Sequence, residues 1–482
     1  MKTHITLLNP AFPSWAPEVT LIPLGISYLA AVLENDGYEV DVIDCQVLNR
    51  AKRKIEDELT RLQPDVVGVT STTLTYAPAV ELVRVAKETC PNCLTIMGGP
   101  HVTVMDEQTL KDQTGVDIVV RGEGEDTIIE LADLVSESSL NKLGDVTGIT
   151  FRKNGQIVRT PNRPFIENLD KLPHPAFNRL PLTEYQIRGK CYLPIITSRG
   201  CPFNCTFCLI SEMCGKRFRA RSPKNVVDEL EWLRDVHGAD AFAFYDAVFT
   251  LDRKRAIDIC EEKKKRKIDL PWDCTTRADQ VSKEVLVKLK EANCKVVYFG
   301  VESGSQKILD SVNKGITVEQ NEKAIKWTKE AGMSAFISVV VGYPGETEEM
   351  LKQTFDFIDR TKPDHVCFCL ATPYPGTRFF NLVEDFGWEL SKDWSHYDEH
   401  VQVFKNPLLP PEKIEEAKRA FYDKFFSPSY IIRKSLKRDF HNQALARTAL
   451  NHYLWRTTQA VSRTIKKIKP QKKQENTEKI KQ

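Results

Sequence analysis

Long apolar runs are missing from this sequence of 482 residues. The longest, such as residues 336–341, fall far short of the roughly 20 consecutive apolar residues that cross a bilayer, so no transmembrane helix is expected. The opening Met1-Lys2-Thr3-His4 leads straight into a short strand pattern and lacks the apolar length and cleavage site of a secretory signal. A cytoplasmic protein is expected. No disulfide framework is legible either: thirteen cysteines, an odd number, lie scattered along the chain, as in a reducing compartment. Most of them are expected to be small buried apolar residues. Cys90 and Cys93 form a C-x2-C pair, but no second pair follows to complete a metal site. Net charge is only +2, and it is unevenly placed, since between Tyr430 and Gln474 twelve Lys and Arg face one acid, Asp439. The main body is therefore acidic, which argues against nucleic acid as a partner.

Within a composition ordinary for a globular protein, one run carries chemistry. Cys201, Cys205 and Cys208 are spaced C-x3-C-x2-C and supply three thiolates, not four. Structural zinc takes four ligands, and neither a partner pair nor a nearby histidine is present. Iron-sulfur clusters are held by cysteine thiolates, usually four, so a cluster held by three keeps one iron open for a small molecule. Spacing alone leaves a chance triplet open. The context is a loop: an apolar stretch at residues 192–196 precedes it, then Arg199-Gly200, and Pro202 interrupts it. Active sites of parallel sheets lie at such strand ends.

With Phe207 as its aromatic, this loop resembles the signature of the radical S-adenosylmethionine (radical SAM) superfamily. Four later segments match it in order: residues 244–250 (Phe-Tyr-Asp-Ala-Val-Phe-Thr), 274–279 (Cys-Thr-Thr-Arg-Ala-Asp), 299–304 (Phe-Gly-Val-Glu-Ser-Gly) and 342–347 (Gly-Tyr-Pro-Gly-Glu-Thr). The resemblance implies a partial (β/α)6 barrel whose Cys201, Cys205 and Cys208 hold a 4Fe-4S cluster, with S-adenosylmethionine on the open iron. It places Phe207 near the adenosine, Asp246 at the methionine ammonium, Arg277 at the carboxylate, and Glu302 and Ser303 at the ribose or methionine moiety. A barrel-lining ion pair between Arg277 and Glu302 stands as the alternative for those two. Gly342 and Gly345 serve either close approach to the ligand or a structural turn.

The first 140 residues alternate strand and helix patterns, with strands at 5–8, 38–43, 66–69, 94–97 and 118–120 and helices at 24–35, 55–62 and 77–88. This reads as a doubly wound, Rossmann-like parallel fold with its ligand at the carboxyl ends of the strands. The loops there, with Ser71, Thr72 and Leu74, Gly98 and Gly99, and Gly122 and Glu123, resemble the cobalamin-binding domain fused to many radical SAM enzymes. Small residues let a macrocycle or its nucleotide tail approach the backbone. In methionine synthase and related mutases a D-x-H-x-x-G loop after the first strand supplies the lower cobalt ligand. Here residues 9–15 carry no histidine, and none occurs between His4 and His101. His101 is read as a contact to the tail or as local packing.

The expected organisation is a cobalamin-binding domain at 1–140, a connector at 141–186 with a hairpin around Asn154-Gly155, a radical SAM core at 187–412 and a helical basic extension at 413–482. The resemblance implies reductive cleavage of S-adenosylmethionine to a 5'-deoxyadenosyl radical that activates a C–H bond, with a reduced flavodoxin- or ferredoxin-like electron donor. Methylation of an unactivated carbon on a hydrophobic substrate, a lipid or a tetrapyrrole, is the first reading. The alternative is a radical cyclase or oxidoreductase, by similarity to anaerobic magnesium-protoporphyrin ester cyclase and lipid-modifying enzymes. A non-catalytic cobalamin sensor is the remaining class. Phe421, Tyr422, Phe425, Phe426 and Tyr430 crowd the start of the extension, and basic residues follow among apolar ones at helical intervals. A helix on an anionic membrane surface and a helix packed on the barrel are both compatible with that pattern.

Overall fold

The computed structural model describes residues 3–13, 22–50, 54–187, 189–436 and, beyond them, 442–443, 445–447, 449–451 and 454. The chain divides into two units, residues 1–408 and 409–482.

The first unit begins with β1 (His4–Asn9), β2 (Glu39–Asp44), β3 (Val66–Thr70), β4 (Leu94–Gly98) and β5 (Ile118–Val120). They pair in parallel in the order β2-β1-β3-β4-β5. Strand side chains alternate between faces, so Ile5, Leu7, Ile96 and Ile118 join one core with the helices Leu24–Asn35 and Glu125–Ser136. Leu8, Val67, Val69, Met97 and Val119 join the other, under the helix Tyr76–Thr89. Near-continuous apolar strands are what a sheet covered on both faces requires. The order reverses at β1 and β3, which opens a crevice at the strand ends there.

One element departs from the expected connector. The hairpin β6 (Ile149–Lys153) and β7 (Gln156–Arg159) pairs antiparallel onto β5 and extends this sheet to seven strands. The apolar side of β6, with Ile149 and Phe151, belongs to the first core. The sheet therefore continues past residue 140.

A second sheet contains β8 (Tyr192–Ile195), β11 (Ala241–Phe244), β12 (Trp272–Thr276), β13 (Cys294–Glu302), β14 (Ser334–Val341) and β15 (His365–Leu370), all parallel and in sequence order. Between β8 and β11 a short antiparallel ribbon forms from β9 (Ser198–Arg199) and β10 (Arg219–Ala220). Of the helices between the barrel strands after β10, five are opened by a side-chain cap, at Ser222, Asp252, Ser282, Thr317 and Thr347. Each such cap contributes about 1 kcal/mol by satisfying an orphan N–H. Phe244, Phe249 and Trp272 meet edge to face at 4.9–5.5 Å and fill the barrel's outer layer.

In the second unit, the helices Pro411–Phe425 and Pro428–Ser435 close on an aromatic core of Phe426, Tyr430 and Ala449, with Tyr422 and Phe425 against it. The crowded aromatics of the extension are thus core. Residues 455–482, with much of the basic run, lie outside the described residues.

Candidate active site

The cysteine loop leaves β8 and is pinned at both ends by the β9/β10 ribbon. Gly200 has φ +83°, and a Cβ there would stand 2.1 Å from the Arg217 carbonyl oxygen. Only glycine fits that turn. The Cys201 N–H donates to Gly215 O at 3.1 Å, Thr206 N–H to Val312 O at 2.9 Å, and Cys208 N–H to Cys205 O at 3.3 Å. All three thiols are half-buried and outside any disulfide. Burial pushes the Cys208 thiol up to about 11, and it raises Cys205 against the opposing pull of Lys314 and Arg277.

These residues fit an iron-sulfur cluster. Among the described residues no three His, Cys, Asp or Glu side chains converge on a position for a single metal ion. Three half-buried thiols on one loop, outside any disulfide, are a donor set for such a cluster. Two cations offset the charge such a group brings. Arg277 places Nη1 3.9 Å from Cys205 Sγ and lies over the Phe203 ring at 3.6 Å. Its Nε donates to Asp279 at 2.9 Å and its Nη2 to the Lys314 carbonyl at 2.8 Å. Lys314 Nζ stands 2.6 Å from Glu302 Oε1 and 5.9 Å from the Phe207 ring centroid. Glu302 has φ +63°, at a register shift in the β13–β14 pairing. A Cβ on Gly300 would meet the Glu302 carboxylate at 2.5 Å, so that glycine makes room for the pair.

Several side chains read as ligand contacts have protein partners. Arg277 and Glu302 do not form the pair weighed from the sequence; each takes another partner, because Lys314 arrives from the following turn. The Asp246 carboxylate accepts Thr197 N–H and Oγ1 at 2.9 Å each and Ser198 Oγ at 2.6 Å. Burial raises its pKa. Asp246 thereby braces the entry to the cysteine loop. Ser303 Oγ bonds Thr354 Oγ1 at 3.0 Å and accepts Ser305 N–H at 3.1 Å, which makes it a turn former. Phe207 packs on Tyr343 with centroids 6.0 Å apart.

Tyr245 and Tyr298, which the sequence did not single out, face the barrel interior with Cys367. All three are exposed in a largely buried sheet, which corrects the expectation that Cys367, like Cys260, Cys294 and Cys369, is a buried apolar residue. Tyr298 meets Phe336 edge to face at 5.0 Å. Its hydroxyl is raised by burial, with Asp273, Tyr245 and Cys367 adding to the effect. Alternation along β13 and β15 is the signal that identifies such positions, once the strands are known.

On the N-terminal side, a cavity of about 490 Å³ opens between the strand ends and the barrel. Gly98, Gly99, Gly122 and Glu123 line it, together with Leu7, Ile96 and Val120. A glycine-lined, apolar recess of this kind fits a flat heterocyclic tail such as cobalamin carries. At Gly99, φ is +98° and a Cβ would fall 2.6 Å from Ser71 O. Ser71, Thr72 and Leu74 do not line the cavity. Ser71 bonds Gly98 O and His101 N–H through its backbone, and Thr72 closes a turn with Thr75. The Glu123 carboxylate is also engaged, by Arg219, Arg199 and Ile166 N–H. His101 is buried between Tyr76 at 4.4 Å and Trp394 at 5.1 Å. Burial lowers its pKa to about 4, so it packs as a neutral ring. In the loop after β1, Ser14 and Trp15 lie outside the described residues.

Comparison with known proteins bears on all of this. Residues 17–132 match the B12 binding domain and residues 195–358 the radical SAM superfamily. An uncharacterized methyltransferase of Pyrococcus horikoshii is 36% identical over 414 residues, 86% of this chain and 90% of the relative. The anaerobic magnesium-protoporphyrin IX monomethyl ester cyclase of Rubrivivax gelatinosus is 31% identical, over 86% of this chain and 74% of its own length. The fold matches that of TsrM, a radical S-adenosylmethionine methyltransferase of Kitasatospora setae solved with cobalamin and a 4Fe-4S cluster. The TM-score is 0.75 at 19% identity, covering 94% of this chain and 100% of that one. This chain therefore belongs to the radical SAM superfamily, in its branch with an N-terminal B12-binding domain, and is an enzyme that uses a 4Fe-4S cluster, S-adenosylmethionine and cobalamin.

Proposed function

We propose that this enzyme methylates an unactivated carbon of a hydrophobic small molecule. One observation carries the reading: the cavity of the B12-binding domain is also lined by Ser198, Arg199, Gly200 and Cys214, which belong to the cysteine loop and its ribbon. A methyl carrier and a radical source are thereby brought to one wall. When bound, the cofactors supply a carbon-centred oxidant for C–H activation and a transferable methyl group. The chain's residues hold and shield them. Cys201, Cys205 and Cys208 hold the cluster, Arg277 and Lys314 offset its charge, and Phe207 packs beside it. Tyr245, Tyr298 and Cys367 form an inner barrel surface for the substrate, mostly apolar with few polar tips, as small-molecule sites are.

The relative named as a methyltransferase supports methylation, and the relative named as a protoporphyrin ester cyclase supports the second reading, an oxidative ring closure. Anaerobic turnover of the reconstituted enzyme with lipid and porphyrin extracts separates them by product mass. A gain of one carbon and two hydrogens is expected; a loss of two hydrogens would select the cyclase. The electron is proposed to come from a reduced flavodoxin- or ferredoxin-like protein.

The second unit supports a peripheral contact with anionic lipid from a cytoplasmic location. No described helix is long and apolar enough to cross a membrane. Ile432 is 61% exposed and Leu436, at the helix's end, 77%, beside the exposed Arg433; Lys434 is buried. Exposed aliphatic side chains beside basic ones are the surface that binds such interfaces. The double substitution I432E/L436E in the full chain is expected to abolish co-sedimentation with phosphatidylserine vesicles. Equal sedimentation of both proteins would refute the contact.

A further inference from the structure

Four buried charged side chains join the cavity wall to the cysteine loop. In the β9/β10 ribbon Arg199 stands opposite Arg219. Glu123 answers both arginines: its carboxylate accepts Arg219 Nη2 at 2.8 Å and Nη1 at 2.9 Å, and Arg199 Nη1 lies 3.3 Å away. Arg199 Nη2 reaches Glu125 Oε1 at 2.5 Å. Side-chain exposure is 12% for Arg199, 2% for Arg219 and 6% for each glutamate. Burial works against the Arg199 charge, and Glu125 and Glu123 outweigh it, holding the guanidinium above its ordinary value. Burial also opposes the Glu123 charge, and the Arg219 fork keeps that carboxyl below its usual range. The set carries two charges of each sign. Arg219 is fastened further, to the carbonyls of Ile166 at 2.6 Å and Cys214 at 2.8 Å.

The sequence neighbours of these charges give the set its meaning. Glu123 sits between Gly122 and Gly124, both in the cavity wall, and Gly122 has φ +73°. Arg199 is followed by Gly200, in the left-handed region, and then by Cys201. Glycine-flanked segments have little stiffness of their own, so the Arg219–Glu123 fork and the bridge that Arg199 makes between Glu123 and Glu125 set where each segment lies relative to the other. Forked guanidinium–carboxylate pairs fix orientation as well as distance.

Resting on the functional reading above, we propose that Arg199, with Glu123, Glu125 and Arg219, positions the bound cobalamin relative to the iron-sulfur cluster. The group acts through the two loops and touches no reacting atom.

The test uses the full-length enzyme loaded with cluster and cobalamin. Pulsed electron paramagnetic resonance between the reduced cluster and cob(II)alamin reads the distribution of distances between the two. Measured on the cobalamin-loaded fraction of each protein, R199M and E125Q are expected to broaden that distribution, and R199K, which keeps the charge but cannot span both carboxylates, to broaden it less. Should R199M fail to fold, E125Q, nearly isosteric with the native side chain, carries the same comparison. A set of ion pairs that only stabilised the fold would lower the melting temperature and leave the distribution unchanged, and that result overturns the proposal. Wild-type protein that takes up no cobalamin would instead refute the functional reading, before any variant is compared.

Discussion

Cys205→Ala is expected to yield a protein that folds, binds no stable iron-sulfur cluster, and forms no detectable 5'-deoxyadenosine from S-adenosylmethionine under strong reductant. The thiol makes one long contact in the fold, 3.9 Å from Arg277 Nη1, so removing it costs the fold a single weak sulfur contact, while Arg277 keeps Asp279 and the Lys314 carbonyl through its other nitrogens. Its loss does take away one of only three thiolates on the loop. The difficult chemistry belongs to the cofactor, so loss of the cluster removes the reaction rather than slowing it. Arg277→Gln grades the same site. With all three thiolates kept and only the neighbouring cation removed, a loss of about 10–100-fold in cluster affinity or activity is expected, as for outer-shell partners of metal sites generally. Iron content and visible absorbance of the anaerobically reconstituted protein check both. A Cys205→Ala protein with wild-type iron and cleavage activity would show that the cluster is held elsewhere.

Lys314→Met is expected to have the largest effect on stability of any single substitution in the barrel mouth. Both members of the Lys314–Glu302 pair are 7% exposed, and their charged atoms are 2.6 Å apart. Deleting one charge of a buried pair leaves the other without compensation, at a cost of about 3–5 kcal/mol. The paired change Lys314→Met with Glu302→Gln removes both charges and is expected to recover most of that loss, because a buried pair replaced by neutral groups is often close to neutral in stability. Denaturation midpoints of the three proteins without cofactors measure this directly. A single-variant midpoint displaced by less than about 0.5 kcal/mol would place Lys314 among ordinary surface residues. With cofactors restored, the neutral double variant asks a separate question: whether a cation beside Cys205 and Cys208 is needed to hold the thiolates.

Much of the architecture was legible before any coordinates. Apolar runs marked the parallel strands of the first sheet, since a strand buried on both faces must carry that pattern, and the family resemblance of four later segments marked the ends of barrel strands. The cysteine triplet was legible because ligand spacing along a loop is a property of the sequence itself. What escaped was pairing between distant segments. Nothing near Lys314 announces that its ammonium meets Glu302, or that Arg199 crosses 74 residues to reach Glu125. Asp246 and Glu123 show the same limit. A carboxylate at a strand end reads as a ligand contact, and nothing in its own segment announces the protein donors that engage each through tertiary packing. The hairpin at 149–159 was read as a connector for a related reason: two short strands do not reveal which sheet edge they join. His101 was placed correctly after the glycine turn, but its burial between two rings depends on Trp394, almost 300 residues away.

The ribbon between β8 and β11 also bears on how such chains can be taken apart. Two family signatures, side by side, invite the view that the halves are interchangeable parts. A barrel expressed without the first 186 residues would turn Arg199 and Arg219 toward solvent beside an uncovered apolar wall, and the isolated N-terminal half would do the same with Glu123 and Glu125. Swapping either half between relatives therefore requires these four residues to travel as a set. Their joint inheritance is a criterion by which functional chimeras of this architecture can be chosen in advance.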